Sequence, residues 1–355
     1  MPDYISAKEA ADKWNISQRR VSVLCRENRV DGAMFIGKMW VIPNTAQKPI
    51  DKRAIRYEKE RPITLKPFVK WAGGKGQLID ELEKMLPTNG SKVLTKYCEP
   101  MVGGGALLFD ILSKYEFEEV YIGDINPELI NAYQIIKNNV EELINKLKEL
   151  QTSFLPMGEN DRKAFYYSIR DKFNSTVLNE STKVDKAAYF IFLNKTCFNG
   201  LYRVNRKGQF NVPMGAYKNP TICDEENLSN IHKALKNVTI VCGDYSLSKS
   251  FIDNNTFVYL DPPYRPLSET SAFTSYNMGT FDDKEQIRLA KFIDQINCTG
   301  AKIILSNSDP KNVNPNDSFF DDLYKEYKIK RVSAKRMINS KAENRGEISE
   351  LLICN

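Results

Sequence analysis

Thr256-Phe257-Val258-Tyr259-Leu260-Asp261-Pro262-Pro263-Tyr264 is the stretch that decides how this chain is read. An apolar, β-favouring run that ends in a carboxylate and two prolines has the form of a strand buried on both faces, emerging at a binding edge. Proline fixes φ and donates no hydrogen bond. The Pro262 carbonyl can therefore be held beside the Asp261 carboxylate as a second acceptor, with Tyr264 offering a flat face. An exocyclic amino group, which only donates at its edge, fits that pocket. A strand ending in an ordinary Pro-Pro turn is the plainer reading, and the rest of the chain sets it aside.

On both sides of this stretch, strand-like runs alternate with helical ones. Residues 93–98 precede a helix from about Gly104, residues 119–123 precede a helix from Pro127, and residues 238–242 form a further run. The strand at 256–260 precedes a helix from Asp282, followed by 302–306 and late strands near 327–332 and 350–353. That rhythm predicts a doubly wound, Rossmann-like α/β sheet. Residues 126–237 interrupt it with long helices and a turn-rich segment, the expected place of an inserted helical and β-hairpin recognition subdomain.

The chain has 355 residues, 42% of them hydrophobic, enough for one large domain and a small one. It has no run of eighteen apolar residues, and its first residues lack a secretory pattern, so a cytoplasmic protein with no membrane partner is expected. Seven cysteines without a Cys-x-x-Cys pair suggest neither a disulfide framework nor a zinc ribbon. His232 is the only histidine, which disfavours a Ser-His-Asp triad or a multi-histidine metal site, and no metal is expected. Residues 1–66 hold 14 Lys/Arg against 8 Asp/Glu, whereas residues 67–355 hold 37 of each. Residues 186–223 contain six Lys/Arg and no acid. Two basic zones on an otherwise neutral chain suit a polyanion, although solvated basic faces are common.

Three acids, Glu99, Asp124 and Asp244, follow apolar strands and would stand at the carboxyl edge of a parallel sheet, where ligands bind. The glycines at 103–105 would let the backbone approach an adenosine-type ligand, and Asp124 could accept its ribose hydroxyls. A nicotinamide dinucleotide competes for such a site, but the run Gly103-Gly104-Gly105-Ala106-Leu107-Leu108 lacks the third glycine of that fingerprint. A single acid at a strand end is more often a helix cap; three together shift the balance.

The stretches Pro67-Phe68-Val69-Lys70-Trp71-Ala72-Gly73-Gly74-Lys75-Gly76 and Tyr97-Cys98-Glu99-Pro100-Met101-Val102-Gly103-Gly104-Gly105, followed by Asp261-Pro262-Pro263-Tyr264, resemble Dam-type (alpha-group) adenine-N6 DNA methyltransferases from about Pro67 to the C-terminus. The resemblance implies methylation of adenine N6 in a short double-stranded DNA sequence, with S-adenosylmethionine as cofactor. It carries cofactor binding onto Trp71, Gly74, Lys75, Glu99, Pro100, Gly103, Gly105, Asp124 and Asp261; from its place at a strand end Asp244 is expected to join them, and Tyr245 after it could stack on the cofactor's adenine. The target adenine would flip out of the duplex and stack on Tyr264. Its amino hydrogens would bond Asp261 and the Pro262 carbonyl, freeing the nitrogen lone pair for direct in-line attack without metal or covalent intermediate. Residues 273–277 with Phe281 would shape a lid, and residues 336–347 resemble the family's closing motifs.

Residues 192–213 mix bases, amides and aromatics around glycines, as a hairpin that enters DNA would. By the same resemblance Phe198 is the intercalating aromatic, Asn199 a backbone or base contact and Arg203 a guanine reader, with Lys195, Asn205 and Arg206 as further DNA contacts. Phe198 stands where Tyr is commoner and Lys195 where Arg is frequent. GATC is the first expectation for the site. An ordinary basic hairpin is the alternative.

Residues 1–43 read as a separate small module. Ser6-Ala7-Lys8-Glu9 has capping-box spacing for a helix to about Trp14, and Ser17 can cap a second helix over 18–28 with Val21, Leu24 and Cys25 inward. With turns at 31–32 and 36–38 this resembles the winged helix-turn-helix of excisionase-like and MerR-like proteins, placing Arg19 and Arg20 toward DNA. A helical protein-interaction module remains open. Residues 44–66 read as a linker and 67–355 as the methyltransferase domain. A monomer is expected, and a restriction endonuclease acting separately is the partner that a modification enzyme would have. Two other functions stay open: a transcription regulator with an inactive methylase-like domain, and an amino methyltransferase acting on RNA or protein.

Overall fold

The computed structural model describes residues 4–14, 16–27, 29–37, 39–47, 63–71, 73, 78–85, 94–265, 281–335 and 347–355. The chain divides into two compact units, Met1–Ala54 and Ile55–Asn355. No helix among the described residues is long and apolar enough to cross a membrane.

The first unit runs β1 (Tyr4–Ser6), α1 (Ala7–Trp14), α2 (Gln18–Arg26), β2 (Met34–Ile36) and β3 (Met39–Pro43), with the antiparallel strand order β1-β3-β2. Its first helix starts on a reciprocal cap. The Glu9 N–H donates to Ser6 Oγ at 3.2 Å while the Ser6 N–H donates to Glu9 Oε2 at 2.7 Å, which satisfies two amides that have no partner inside the helix. Ser17 caps α2 by accepting from the Arg20 N–H. Ala10, Trp14, Val21, Leu24, Cys25 and Ile42 form its core, which leaves Arg19 exposed and Arg20 half-buried.

The second unit begins with α3 (Ile79–Met85), β4 (Lys96–Glu99), α4 (Ala106–Lys114), β5 (Glu119–Asp124), α5 (Pro127–Asn138), α6 (Val140–Phe154), α7 (Glu159–Ser175), α8 (Lys183–Thr196) and α9 (Glu225–Leu235). It continues with β6 (Val238–Cys242), β7 (Thr256–Leu260), α10 (Asp283–Asn297), β8 (Lys302–Ser308), α11 (Phe319–Leu323), β9 (Lys328–Lys335) and β10 (Glu347–Cys354). Seven strands form one sheet in the order β6-β5-β4-β7-β8-β10-β9. The first five are parallel; β10 runs antiparallel to β8, and β9 antiparallel to β10. The α/β fold with a mostly parallel central sheet is the one expected from the alternating runs.

Strand β7 shows why its sequence carries no polar alternation. Phe257 and Tyr259 enter the core on one face of the sheet while Val258 and Leu260 enter the core on the other. Burying each such side chain stabilises the fold by about 1.5–3 kcal/mol. Chain order reverses at the β4/β7 boundary: after β4 the chain builds outward to β5 and β6, then returns to β7 and builds the other way. The carboxyl ends of β4 and β7, Glu99 and Asp261, therefore stand at the crevice where open α/β sheets bind ligands.

Between β5 and β6, helix α8 is apolar on nearly all sides, with Ala187, Ala188, Phe190, Ile191, Phe192 and Leu193 buried. Such a helix sits inside a layer rather than on it. Residues 197–215 leave its end antiparallel, but two isolated bridges, Cys197↔Met214 and Val204↔Phe210, replace the hairpin ladder expected from the sequence. The turn is held by the Asn205 N–H, which donates to the Gln209 carbonyl at 2.8 Å, and by Asn205 Oδ1, which accepts from the Lys207 and Gln209 N–H groups.

Candidate active site

A cleft of about 1570 Å³ opens at the carboxyl edge of the sheet. It is lined by the glycine loop, Trp71, Glu99, Asp124, Tyr202, Asp244, Tyr245 and the 261–264 tetrapeptide among others. Its volume exceeds the roughly 300–1,000 Å³ of a pocket for one small molecule, which leaves room for a cofactor and a nucleobase together.

The glycine loop is shaped by contacts a side chain would break. Gly103 has φ +49°, and a Cβ there would meet Trp71 Cδ1 at 2.9 Å. Trp71 also stacks on Tyr202 at 5.4 Å between ring centroids, so its indole spans the space between the glycine loop and the 197–215 segment. Asp124 Oδ2 accepts from the Gly103 N–H at 3.0 Å and its Oδ1 from the Asn126 N–H at 2.9 Å, while burial raises its pKa. The Gly103 amide, which a pyrophosphate would require in a dinucleotide site, is thus already taken by a carboxylate. Seven acids and three bases line the cleft, a balance that favours a cationic ligand over a phosphorylated one. Gly74 and Lys75, expected beside Trp71, lie outside the described residues.

Below the loop, Glu99 is 2% exposed, and its Oε2 accepts from the Tyr97 hydroxyl at 2.6 Å. Burial pushes its carboxyl up to about 8; the Tyr97 hydrogen bond opposes this and the nearby Asp261 charge adds to it. Asp261 Oδ1 accepts from Ser306 Oγ at 2.9 Å. With the Ser306 proton directed there, the Tyr259 hydroxyl, 3.0 Å from Ser306 Oγ, is the donor to it. This chain of hydroxyls orients the carboxylate from the buried side. Pro262 is buried, and Pro263 presents its carbonyl to Gln286 Nε2 at 3.2 Å. Tyr264 donates its hydroxyl to Glu350 Oε2 at 2.6 Å, which fixes the ring that ends the tetrapeptide.

Asp244 caps the turn after β6 and takes two hydrogen bonds from Arg288, at 2.7 and 3.1 Å, which hold its pKa at about 2. The Tyr245 ring lies edge-on to Phe292 with the Arg288 guanidinium over it at 4.5 Å. Sequence reasoning missed Arg288, as it missed Tyr97, Ser306 and Glu350. All four work by supporting another group, and their partners are distant in the chain or ordinary in type.

On the recognition side, Phe198 is 52% exposed and Asn199 adopts φ +56°, the sole positive φ of a non-glycine among the described residues. Such a conformation at an exposed tip is a recurrent sign of function. Arg203 is exposed and its Nε donates to Asn211 Oδ1 at 2.8 Å; Arg206 is exposed at the turn shaped by Asn205. Lys195 is half-buried at the end of α8, and burial lowers its pKa. The expected lid at 273–277 and the closing motif at 336–346 lie outside the described residues, whereas Phe281 lines the cleft.

Comparison with known proteins agrees with this geometry. Residues 71–338 match the D12 class N6 adenine-specific DNA methyltransferases. The chain is 52% identical over 295 residues to the type II methyltransferase M.MjaIII of Methanocaldococcus jannaschii, a match covering 82% of this chain and 100% of that protein. It is 36% identical to the type II methyltransferase M1.LlaDCHI of Lactococcus lactis subsp. cremoris, over 84% of this chain and 98% of that protein. A DNA adenine methylase of Haemophilus influenzae is 34% identical over 81% of this chain and 92% of its own length. A parallel sheet with an acid-lined cleft at its switch point, matched over three quarters of its length, places the chain in the D12 class of N6 adenine-specific DNA methyltransferases.

Proposed function

We propose that this enzyme transfers a methyl group from S-adenosylmethionine to N6 of an adenine that it flips out of a short double-stranded DNA site, GATC being the first sequence to test. The observation that carries the reading is the pairing of Asp261 with the glycine loop across the β4/β7 switch point in one cleft large enough for two ligands.

In this reading Trp71, Glu99, Pro100, Gly103, Gly105, Asp124, Asp244 and Tyr245 hold the cofactor, together with Gly74 and Lys75. Asp124 takes the ribose hydroxyls, and the acidic lining favours the cofactor's positive charge. The cofactor supplies an electrophilic methyl on a sulfonium. Asp261, held by Ser306, and the Pro262 carbonyl accept the two N6–H bonds of the target base, which draws the nitrogen toward a tetrahedral shape and frees its lone pair. Tyr264, fixed through Glu350, provides the stacking face, and Pro263 with Gln286 keeps the tetrapeptide rigid. Proton loss follows once positive charge has developed on the nitrogen, so Asp261 need not be a strong base.

Phe198 and Asn199 enter the space vacated by the base, Arg203 and Arg206 reach bases or phosphates, and Lys195 stands behind them. Residues 1–43 act as a winged helix-turn-helix that adds a second DNA contact through Arg19 and Arg20.

The test incubates purified protein with S-adenosylmethionine and unmethylated plasmid, maps modified adenines by sequencing, and runs Asp261→Ala alongside. Methyladenine confined to one short motif and absent with the variant is expected. Tight DNA binding with no modification would overturn the catalytic reading in favour of a regulator.

A further inference from the structure

A single buried amide joins the cofactor side of the cleft to the tip that carries Phe198. Asn194, in the last turn of α8, is 2% exposed. Its Oδ1 accepts from the Lys70 N–H at 2.7 Å, and its Nδ2 donates to the Lys70 carbonyl at 2.8 Å and to the Gly200 carbonyl at 3.0 Å. Three segments far apart in sequence meet in these bonds. Lys70 immediately precedes Trp71, whose indole lies against Gly103 and stacks on Tyr202. Gly200 closes the tip that begins at the exposed Phe198 and the strained Asn199.

The same junction is tight from its other side. Gly200 has φ +65°, and a Cβ there would run into Lys70 Cδ and come within 2.7 Å of Lys70 Cβ. The Phe198 amide is tied in turn to the Pro213 carbonyl at 2.9 Å, so the tip cannot swing freely about α8. A shift of the Lys70–Trp71 backbone, such as a ligand seated against Trp71 would produce, therefore moves Gly200 with it or breaks buried hydrogen bonds. Each bond left unmade in a buried site is costly.

We infer that Asn194 is a positioning residue that couples cofactor binding to DNA binding: a ligand on the glycine loop sets the register of the Phe198–Asn199 tip, and DNA on the tip tightens the cofactor's hold. The inference rests on the function proposed above and adds to it the residue through which the two sites communicate. Linkage makes the effect reciprocal, so the factor by which cofactor strengthens DNA binding equals the factor by which DNA strengthens cofactor binding. Asn194 is buried and does not line the cleft, so its substitution should act on the coupling factor rather than on a direct contact.

The experiment measures four dissociation constants on the full chain: sinefungin, a non-reactive cofactor analogue, with and without a cognate duplex, and the duplex with and without sinefungin. In the unaltered protein both ratios should agree at about tenfold, within the usual range for coupled sites. Asn194→Asp keeps the acceptor for the Lys70 N–H but faces two carbonyls with no donor. Gly200→Ala crowds the junction against the Lys70 side chain while leaving the Asn194 amide itself in place. Both should bring the ratio to within about twofold of unity while sinefungin alone binds nearly as before. Unity in the unaltered protein overturns the inference, as does a coupling ratio that survives in both variants. If neither ligand binds, the functional reading fails with it; if both bind independently, the inference alone fails.

Discussion

At the scale of single residues, Glu99 is a carboxylic acid of the cleft whose chemistry is far from its type. Burial removes it from water and pushes its carboxyl up to about 8, which favours the protonated form at neutral pH. The folded-state value lies above the 4.5 of an exposed glutamate, which means that the folded chain binds the extra proton and the unfolded chain does not. Stability should therefore fall as pH rises from about 4.5 to about 8. Glu99→Gln should flatten that limb, and urea midpoints taken across the window check it. A sulfonium cofactor in the same cleft would favour the ionised form, so its binding at pH 7 should release a proton. Calorimetry in two buffers of different ionisation enthalpy reads this directly, and a release undiminished in Glu99→Gln would assign it elsewhere. Asp261, which Ser306 orients from the buried side, is the acid on which the proposed chemistry turns. Asp261→Asn replaces an acceptor with a donor and should lower kcat about 10²–10³-fold. The dissociation constant for cofactor should move far less, and equal losses in both would reduce Asp261 to a cofactor ligand.

At the scale of elements, the tip after α8 should reveal its function through the state of the target base. If Phe198 fills the gap left by a flipped adenine, Phe198→Ala loses on a fully paired duplex, where unstacking costs a few kcal/mol, and recovers on a duplex with the adenine mispaired. A drop of about 10–100-fold in kcat/KM on paired DNA, largely restored by the mismatch, is expected. An equal loss on both substrates would make Phe198 a simple contact. The elements also differ in how far the sequence disclosed them. Strand β7 was legible because burial on both faces leaves an unbroken apolar run, and β5 and β6 as strand-like runs in the same alternation with helices. The hairpin expected over 192–213 exists as two isolated bridges about the turn that Asn205 holds. Asn194 was invisible as a junction: its partner Lys70 lies 124 residues away, and an asparagine near a helix end reads as nothing more than a poor helix former. Arg288 was hidden in the same way, since an arginine on an amphipathic helix looks like solvent-facing charge until Asp244 and Tyr245 are found beneath it.

For the whole molecule, the uneven charge is the feature still to be given a consequence. The formal excess of positive charge lies within residues 1–66, while the family match begins at residue 71, so the basic unit is additional to the methyltransferase. A type II methyltransferase is matched along its entire length by 82% of this chain. The compact core of Met1–Ala54, with its own capped helices and three-stranded sheet, gives that remainder a structure able to hold Arg19 and Arg20 on one helix. If those arginines meet phosphates, each displaces counterions, and the double substitution Arg19→Ala, Arg20→Ala should reduce the slope of log Kd against log salt by about two. Affinity for long DNA should fall at low salt, whereas kcat on a short duplex with a single methylation site should stay within about twofold, because no group lining the cleft has changed. Filter binding over a salt series together with single-site methylation kinetics separates the two quantities. An unchanged slope would mean that the unit does not touch the DNA backbone through α2. Its exposed hairpin residues Met34, Phe35, Ile36 and Met39 would then become the surface to probe, and the unit would read as a module for binding protein.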